Sequence, residues 1–191
     1  VFGEDDVRID KDWKPATADE RLARLEAIDE IRQLPHRYGL AVDTRDLDAL
    51  ASLFVSDVRV GRDRTGRAAL AEWYGRSLER FGVSIHFVGN HVIDVLSPDS
   101  AAGVVTCRDE LEVGGEWHIG MIQYWDDYRR EDGQWLFRRR KLHRWYLVDA
   151  LTRPGWSAGV NADAETIRTP LLPDAWPSWD QFWNARGRSP R

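Results

Sequence analysis

Three ionisable side chains stand inside patterned elements where they could do acid–base chemistry. Asp43 closes the run YGLAVD, His86 sits inside SIHFVGNHV, and Asp109 interrupts AGVVTCRDELEV. Asp109 shares strand parity with Val105, Cys107, Leu111 and Val113, while Arg108 and Glu110 take the other face. A lone carboxylate on an apolar face is costly to bury unless it is paired or protonated. A raised pKa would suit it to be a general acid; an arginine partner would account for it equally well. His86 carries the one side-chain type whose ordinary pKa suits proton transfer near neutrality, so it is the natural general base. A satisfied core histidine would look the same in the sequence. By strict alternation His91 falls on the opposite face. Asp43 lies at the edge of a helical apolar arc with Tyr38 well inside it, near a helix C-terminus where the macrodipole disfavours an anion. Asp43 is therefore either a helix-end residue facing water or a carboxylate aimed at a partner. Arg62, His118, Tyr124 and Tyr128 are further polar-tipped candidates.

The elements that would position these groups follow from periodicity and turn chemistry. Thr17-Ala18-Asp19-Glu20 has the form of a capping box, and Leu25, Ile28, Ile31, Leu34, Tyr38 and Val42 then recur at helical spacing. Pro35 should kink that helix. A short helix is expected from Asp46 to Phe54, a strand over 58–62, and a helix from Arg67 to Phe81 burying Leu70, Trp73, Tyr74 and Leu78. Four strands follow, over 83–96, 102–113, 116–130 and 134–148, separated by Ser97-Pro98-Asp99-Ser100, Gly114-Gly115 and Glu131-Asp132-Gly133. Helices first and hairpin-linked strands after them predict an α+β domain with a curved, mainly antiparallel sheet around the helices. The domain is expected over 17–151, with a loose arm at 1–16. A Trp- and Pro-rich extension at 152–191 should pack on the domain or on a neighbouring subunit.

Composition narrows the function. The 191 residues carry a formal charge of −5, which gives no footprint for nucleic acid or anionic membrane. The one basic cluster, Arg138–Lys141, lies in an alternating strand pattern and reads as a solvated face. A single cysteine and no charged-then-apolar leader point to a reducing, cytoplasmic setting. No phosphate loop, paired-cysteine spacing, nucleophile elbow or His-Glu-x-x-His helix is present, so catalysis would rest on scattered acid–base groups.

The runs IDEIRQLPHRYGLAVDTRDLDALASLFVSDVRV, SIHFVGNHVI and QYWDDYRREDGQWLFRRRKL resemble the SnoaL-like branch of the nuclear transport factor 2-like superfamily. Their order and spacing are most similar to the bile-acid 7α-dehydratases, with scytalone dehydratases and hexachlorocyclohexane dehydrochlorinases also similar. The resemblance covers about residues 20–148. It implies a cone-shaped α+β barrel, an apolar pocket and an Asp–His dyad working without metal or cofactor. By position it implies Asp43 and His86 as that dyad, with Tyr38 and Asp109 as further catalytic residues. A pocket tyrosine of both dehydratases falls at Arg62, and a second histidine of scytalone dehydratase falls at Met121, with His118 nearby. The implied activity is a lyase, dehydratase-like, acting on a hydrophobic cyclic or aromatic molecule. An isomerase of the ketosteroid-isomerase kind and a non-catalytic subunit packed against an oxygenase are the alternatives. The resemblance also implies a homo-oligomer, a trimer being favoured.

Overall fold

The structure, a computed structural model, describes residues 13–151 and Asn184; the expected extension and most of the expected arm lie outside the described residues. Helix α1 spans Ala18–Asp43 and starts at the expected capping box, in which Thr17 and Glu20 each satisfy the other's backbone N–H. It runs through Pro35 as one continuous helix. Ile31, Leu34, Tyr38 and Val42 are buried as the pattern predicts, but Leu25 is exposed, because the helix reaches the sheet only beyond its first turns. Helix α2 (Leu47–Ser52) is capped by Asp46, whose carboxylate accepts from the Ala49 N–H at 2.9 Å. Strands β1 (Arg59–Val60) and β2 (Arg64–Thr65) form a small ribbon leading into α3 (Arg67–Leu78). Of the expected α3 stripe, Leu70 is fully buried while Trp73 is exposed.

Strands β3 (Ser84–Ser97), β4 (Ser100–Val113), β5 (Glu116–Glu131) and β6 (Gln134–Asp149) form one antiparallel sheet in chain order. The sheet is curved but not closed: β3 and β6 are not paired with each other. Helix α1 packs across it, against β3 and β6, and the core lies between that helix and the inward face. Phe54, Tyr38, Tyr124, Tyr128 and Phe137 are its aromatic centre.

Register decides which side chains face the helix. In β3–β4 the pairing shifts between Val88 and His91, a bulge that turns His91 inward. There its Nε2 lies 3.0 Å from the Tyr128 hydroxyl, so strict alternation misplaces it. In β5–β6 the register shifts between Met121 and Ile122 and again between Asp127 and Tyr128. The basic cluster divides accordingly. Arg138 is exposed and Arg139 pairs with Asp127 at 2.7 Å, but Arg140 is a core residue, its side chain 3% exposed. Its Nε and Nη2 bind the buried Asp126 at 2.9 and 2.7 Å, and the rings of Tyr38, Tyr124 and Phe137 lie 4.1–4.3 Å from its guanidinium carbon. A solvated face is therefore correct for only part of this run; burial of Arg140 is made tolerable by the charge and quadrupoles around it.

Candidate active site

The last turn of α1 brings Asp43 onto the start of β3. Asp43 Oδ1 lies 2.7 Å from His86 Nδ1, and Oδ2 accepts the His86 backbone N–H at 2.8 Å. Ser84 Oγ donates to Oδ1 at 3.1 Å. A carboxylate held by ring and backbone of one residue fixes that ring's orientation. It also assigns the Nδ1 proton, leaving the Nε2 lone pair free to accept. Among the described residues Nε2 has no hydrogen-bond partner. Burial is the largest single influence on Asp43 and favours its neutral acid. The bonds from the His86 ring and backbone together outweigh it and hold the carboxyl below the usual range. The Asp43 side chain is 23% exposed and that of His86 8%, so the pair is sheltered without being sealed.

Close approach here depends on a missing side chain. A Cβ on Gly39 would stand 3.1 Å from His86 Cβ, so the bare backbone at 39 lets β3 settle onto α1. On the wheel Asp43 lies one turn beyond Gly39 on nearly the same face, and Tyr38 lies about 100° to its other side. His86 settles between them. Its ring meets Asp43 by hydrogen bond and Tyr38 edge-on at 6.1 Å. That resolves how residues about 140° apart on the helix serve one histidine. The Tyr38 hydroxyl itself is bonded to the Tyr74 hydroxyl at 3.0 Å. Tyr74 also lines a cleft of about 1070 Å³ with Val58, Val60, Leu70, Trp73 and Arg140.

Asp109 is the direct cross-strand partner of His86. It is 7% exposed, and its Oδ1 has no hydrogen-bond partner among the described residues. Burial pushes its pKa up, and the opposing pull of His86 and Arg144 does not cancel that. The carboxylate lies over Gly120, where any Cβ would be 1.8 Å from Oδ1. Arg144 is 7% exposed on the inward face of β6, opposite Ile122; Asp109 is the one charge that counters its desolvation, and no hydrogen bond joins the two. Cys107, next along the inward face of β4, has its thiol pushed up to about 12 by burial and is inert near neutrality.

The remaining candidates are scattered. His118 lies on the inward face two residues before Gly120, with Nδ1 buried and unpartnered. Tyr124 is buried 5.6 Å from the Tyr38 ring, and Tyr128 belongs to the Asp126–His91 network. Met121 pairs with Arg108 on the outward face, and Arg62 occupies the exposed turn between β1 and β2. Neither is brought to the Asp43–His86 pair. Ser84, Gly39, Gly120 and Arg144 join the site without having been singled out in the sequence. A glycine inside a helix costs about 1 kcal/mol relative to alanine, so Gly39 carried a signal of close approach; Gly120 inside a strand carried the same signal. Arg144 carried none, because its facing depends on bulges.

Residues 23–141 match the SnoaL-like domain, well over half of the chain. The chain belongs to the SnoaL-like family. An uncharacterised protein of Mycobacterium tuberculosis is 28% identical over 119 residues, covering 58% of this chain and 80% of that protein. A crystal structure described as a candidate scytalone dehydratase, from Novosphingobium aromaticivorans, is 26% identical with a TM-score of 0.60, covering 73% of this chain and 97% of that one. A hexachlorocyclohexane dehydrochlorinase from Novosphingobium barchaimii is 21% identical with a TM-score of 0.63, covering 71% and 99%, a likeness of fold. The α+β architecture of this SnoaL-like protein is thus the nuclear transport factor 2-like fold. No helix among the described residues is long and apolar enough to cross a membrane.

Proposed function

We propose that this SnoaL-like protein is a lyase that eliminates water from a hydrophobic cyclic or aromatic small molecule, using Asp43 and His86 as its base and no cofactor. The observation that carries this reading is the His86 ring itself: Nδ1 committed to Asp43 at 2.7 Å, and Nε2 without a partner among the described residues. Nε2 takes a proton from carbon, and the electrons of that C–H bond form the new double bond. The C–O bond breaks, and Asp109, placed beside His86 on β4 with burial favouring its acid form, delivers a proton to the departing oxygen. Water leaves, and transfer of the proton from the imidazolium to the Asp109 carboxylate restores both groups. The Asp43 carboxylate stabilises the imidazolium in between, as a carboxylate does for catalytic histidines on unrelated folds. Arg144, buried near Asp109, supplies positive charge for oxygen that becomes negative during elimination. The structural neighbour described as a candidate scytalone dehydratase, 26% identical, supports elimination as the reaction class.

General base catalysis contributes about 10²–10⁴-fold, so His86→Ala should lower turnover by at least that factor with the fold unchanged by circular dichroism. Screening cyclic alcohols that carry an electron-withdrawing group on the carbon adjacent to the carbinol carbon, where it acidifies the proton to be removed, and reading product mass, tests the reaction. Loss of one water supports a dehydratase; unchanged mass would make the protein an isomerase. Full activity in the His86→Ala variant would sink the dyad. Solution mass measurement tests the accompanying proposal of a homo-trimer.

A further inference from the structure

Helix α1 ends in a complete Schellman motif: the Asp46 N–H donates to the Ala41 carbonyl at 2.9 Å and the Arg45 N–H to the Val42 carbonyl at 3.1 Å. Arg45 holds the left-handed position of that motif, with φ 61°. Glycine is the usual occupant, and a residue with a Cβ gives up about 1–2 kcal/mol there. An arginine at such a position calls for a side-chain contribution that glycine lacks, and its guanidinium provides one. Nη1 donates to the Val42 carbonyl at 2.7 Å and to Ser84 Oγ at 2.6 Å, while Nη2 donates to the Phe81 carbonyl at 3.0 Å.

The contact with Ser84 has a consequence at the dyad. A hydroxyl has one proton to give. Ser84 is buried, so water does not compete for it. With Arg45 donating to its oxygen, the Ser84 proton goes to Asp43 Oδ1, 3.1 Å away. The same guanidinium places positive charge on a terminal carbonyl of α1, offsetting the negative helix end that Asp43 must tolerate. We propose that Arg45 is a positioning residue of this site, acting through the Ser84 hydroxyl to fix the Asp43 carboxylate on His86 Nδ1. Arg45 touches no reacting atom in this scheme. The relay rests on the dyad reading only for its effect on rate; its effect on Asp43 is measurable without substrate.

The experiment is an NMR titration of the Asp43 carboxyl carbon and the His86 ring nitrogens in the full chain, in Ser84→Ala, in Arg45→Lys and in the double variant. Lysine keeps the charge but lacks the fork that serves three acceptors. Loss of one charge-assisted hydrogen bond should raise the proton affinity of Asp43 about tenfold in Ser84→Ala. Arg45→Lys should shift it in the same direction by less, and should add nothing once Ser84 is already alanine. An additive shift in the double variant would mean that Arg45 acts on the loop or through space, and would overturn the relay. So would an unmoved Asp43 titration in Ser84→Ala. A purely structural role would lower both variants' melting temperatures and leave the titration where it was, which also overturns it. With a substrate in hand, Ser84→Ala should reduce kcat about tenfold with KM unchanged. If His86→Ala keeps full turnover while the titration shifts as expected, the relay stands and the dyad's catalytic role falls.

Discussion

Two places on the inward face of the sheet pair an arginine with an aspartate, and they are built to opposite rules. In the Arg140–Asp126 pair both carboxylate oxygens are engaged by the guanidinium, the Tyr128 hydroxyl adds a third bond at 3.0 Å, and three aromatic rings surround the cation. At the end of the face, Arg144 and Asp109 sense each other's charge without a hydrogen bond, and Asp109 Oδ1 is left unpartnered. Both aspartates are buried and both have raised pKa values from burial. In the first pair both carboxylate oxygens are taken up, only Arg140 Nη1 being left over among the described residues, and the pair serves the fold. The second leaves hydrogen-bonding capacity beside His86, which is what a reacting molecule requires and what a purely structural site avoids.

Breaking the doubly bonded pair should have the largest effect on stability. Arg140→Met leaves Asp126 buried and uncompensated, and about 3–5 kcal/mol of unfolding free energy should be lost in a denaturant titration. Adding Asp126→Leu should recover much of that loss, since two apolar groups can replace a buried ion pair. A loss below 1 kcal/mol in the single variant would show that the pair contributes little.

The same network makes a pH prediction. His91 meets the Tyr128 hydroxyl, and burial, followed by the charges of Arg140, Arg32 and His36, lowers its pKa to about 4. Between an unfolded value near 6.5 and that folded value, the unfolded chain binds the extra proton, so stability falls as pH drops through this window. The cost is roughly 3 kcal/mol by pH 4, from a difference of about 2.5 pKa units. His91→Gln removes the titrating group and should flatten the stability profile over that range. An unchanged slope would assign the acid sensitivity elsewhere.

The smallest stability effect belongs to the Arg144–Asp109 pair, and its sign is the informative part. An aspartate whose pKa is raised on folding opposes folding once pH exceeds its unfolded value. Asp109→Asn should therefore leave the protein equally or slightly more stable at neutral pH, within about 1 kcal/mol, while turnover falls about a hundredfold. A strongly destabilised variant would place Asp109 in the structural class with Asp126 and remove the contrast between the two sites.

Much of the fold was legible along the chain because the signals are local. The Thr17–Glu20 capping box, the Asp46 cap and the Gly-containing turns mark element ends within four residues, and they place the elements correctly to within a few positions. Leu25 and Trp73 show the limit: an apolar side chain on a helical stripe is buried only where another element arrives to cover it.

The candidate site was legible in part. Asp109 stood out by parity, and Asp43 and His86 were paired by family resemblance. The sequence by itself determined the order of helices and strands, the hairpin connections and the inward parity of Asp109, since these follow from periods of 3.6 and 2 and from turn residues. Tertiary structure alone decided which face His91, Arg140 and Arg144 take, because a one-residue bulge inverts every side chain beyond it and no local rule places the bulge. It also decided which polar groups are satisfied and which are left open. Hydrogen-bond partners such as Arg45 with Ser84, or Asp43 with His86, lie 39 and 43 residues apart, and only the folded chain brings them within 3 Å.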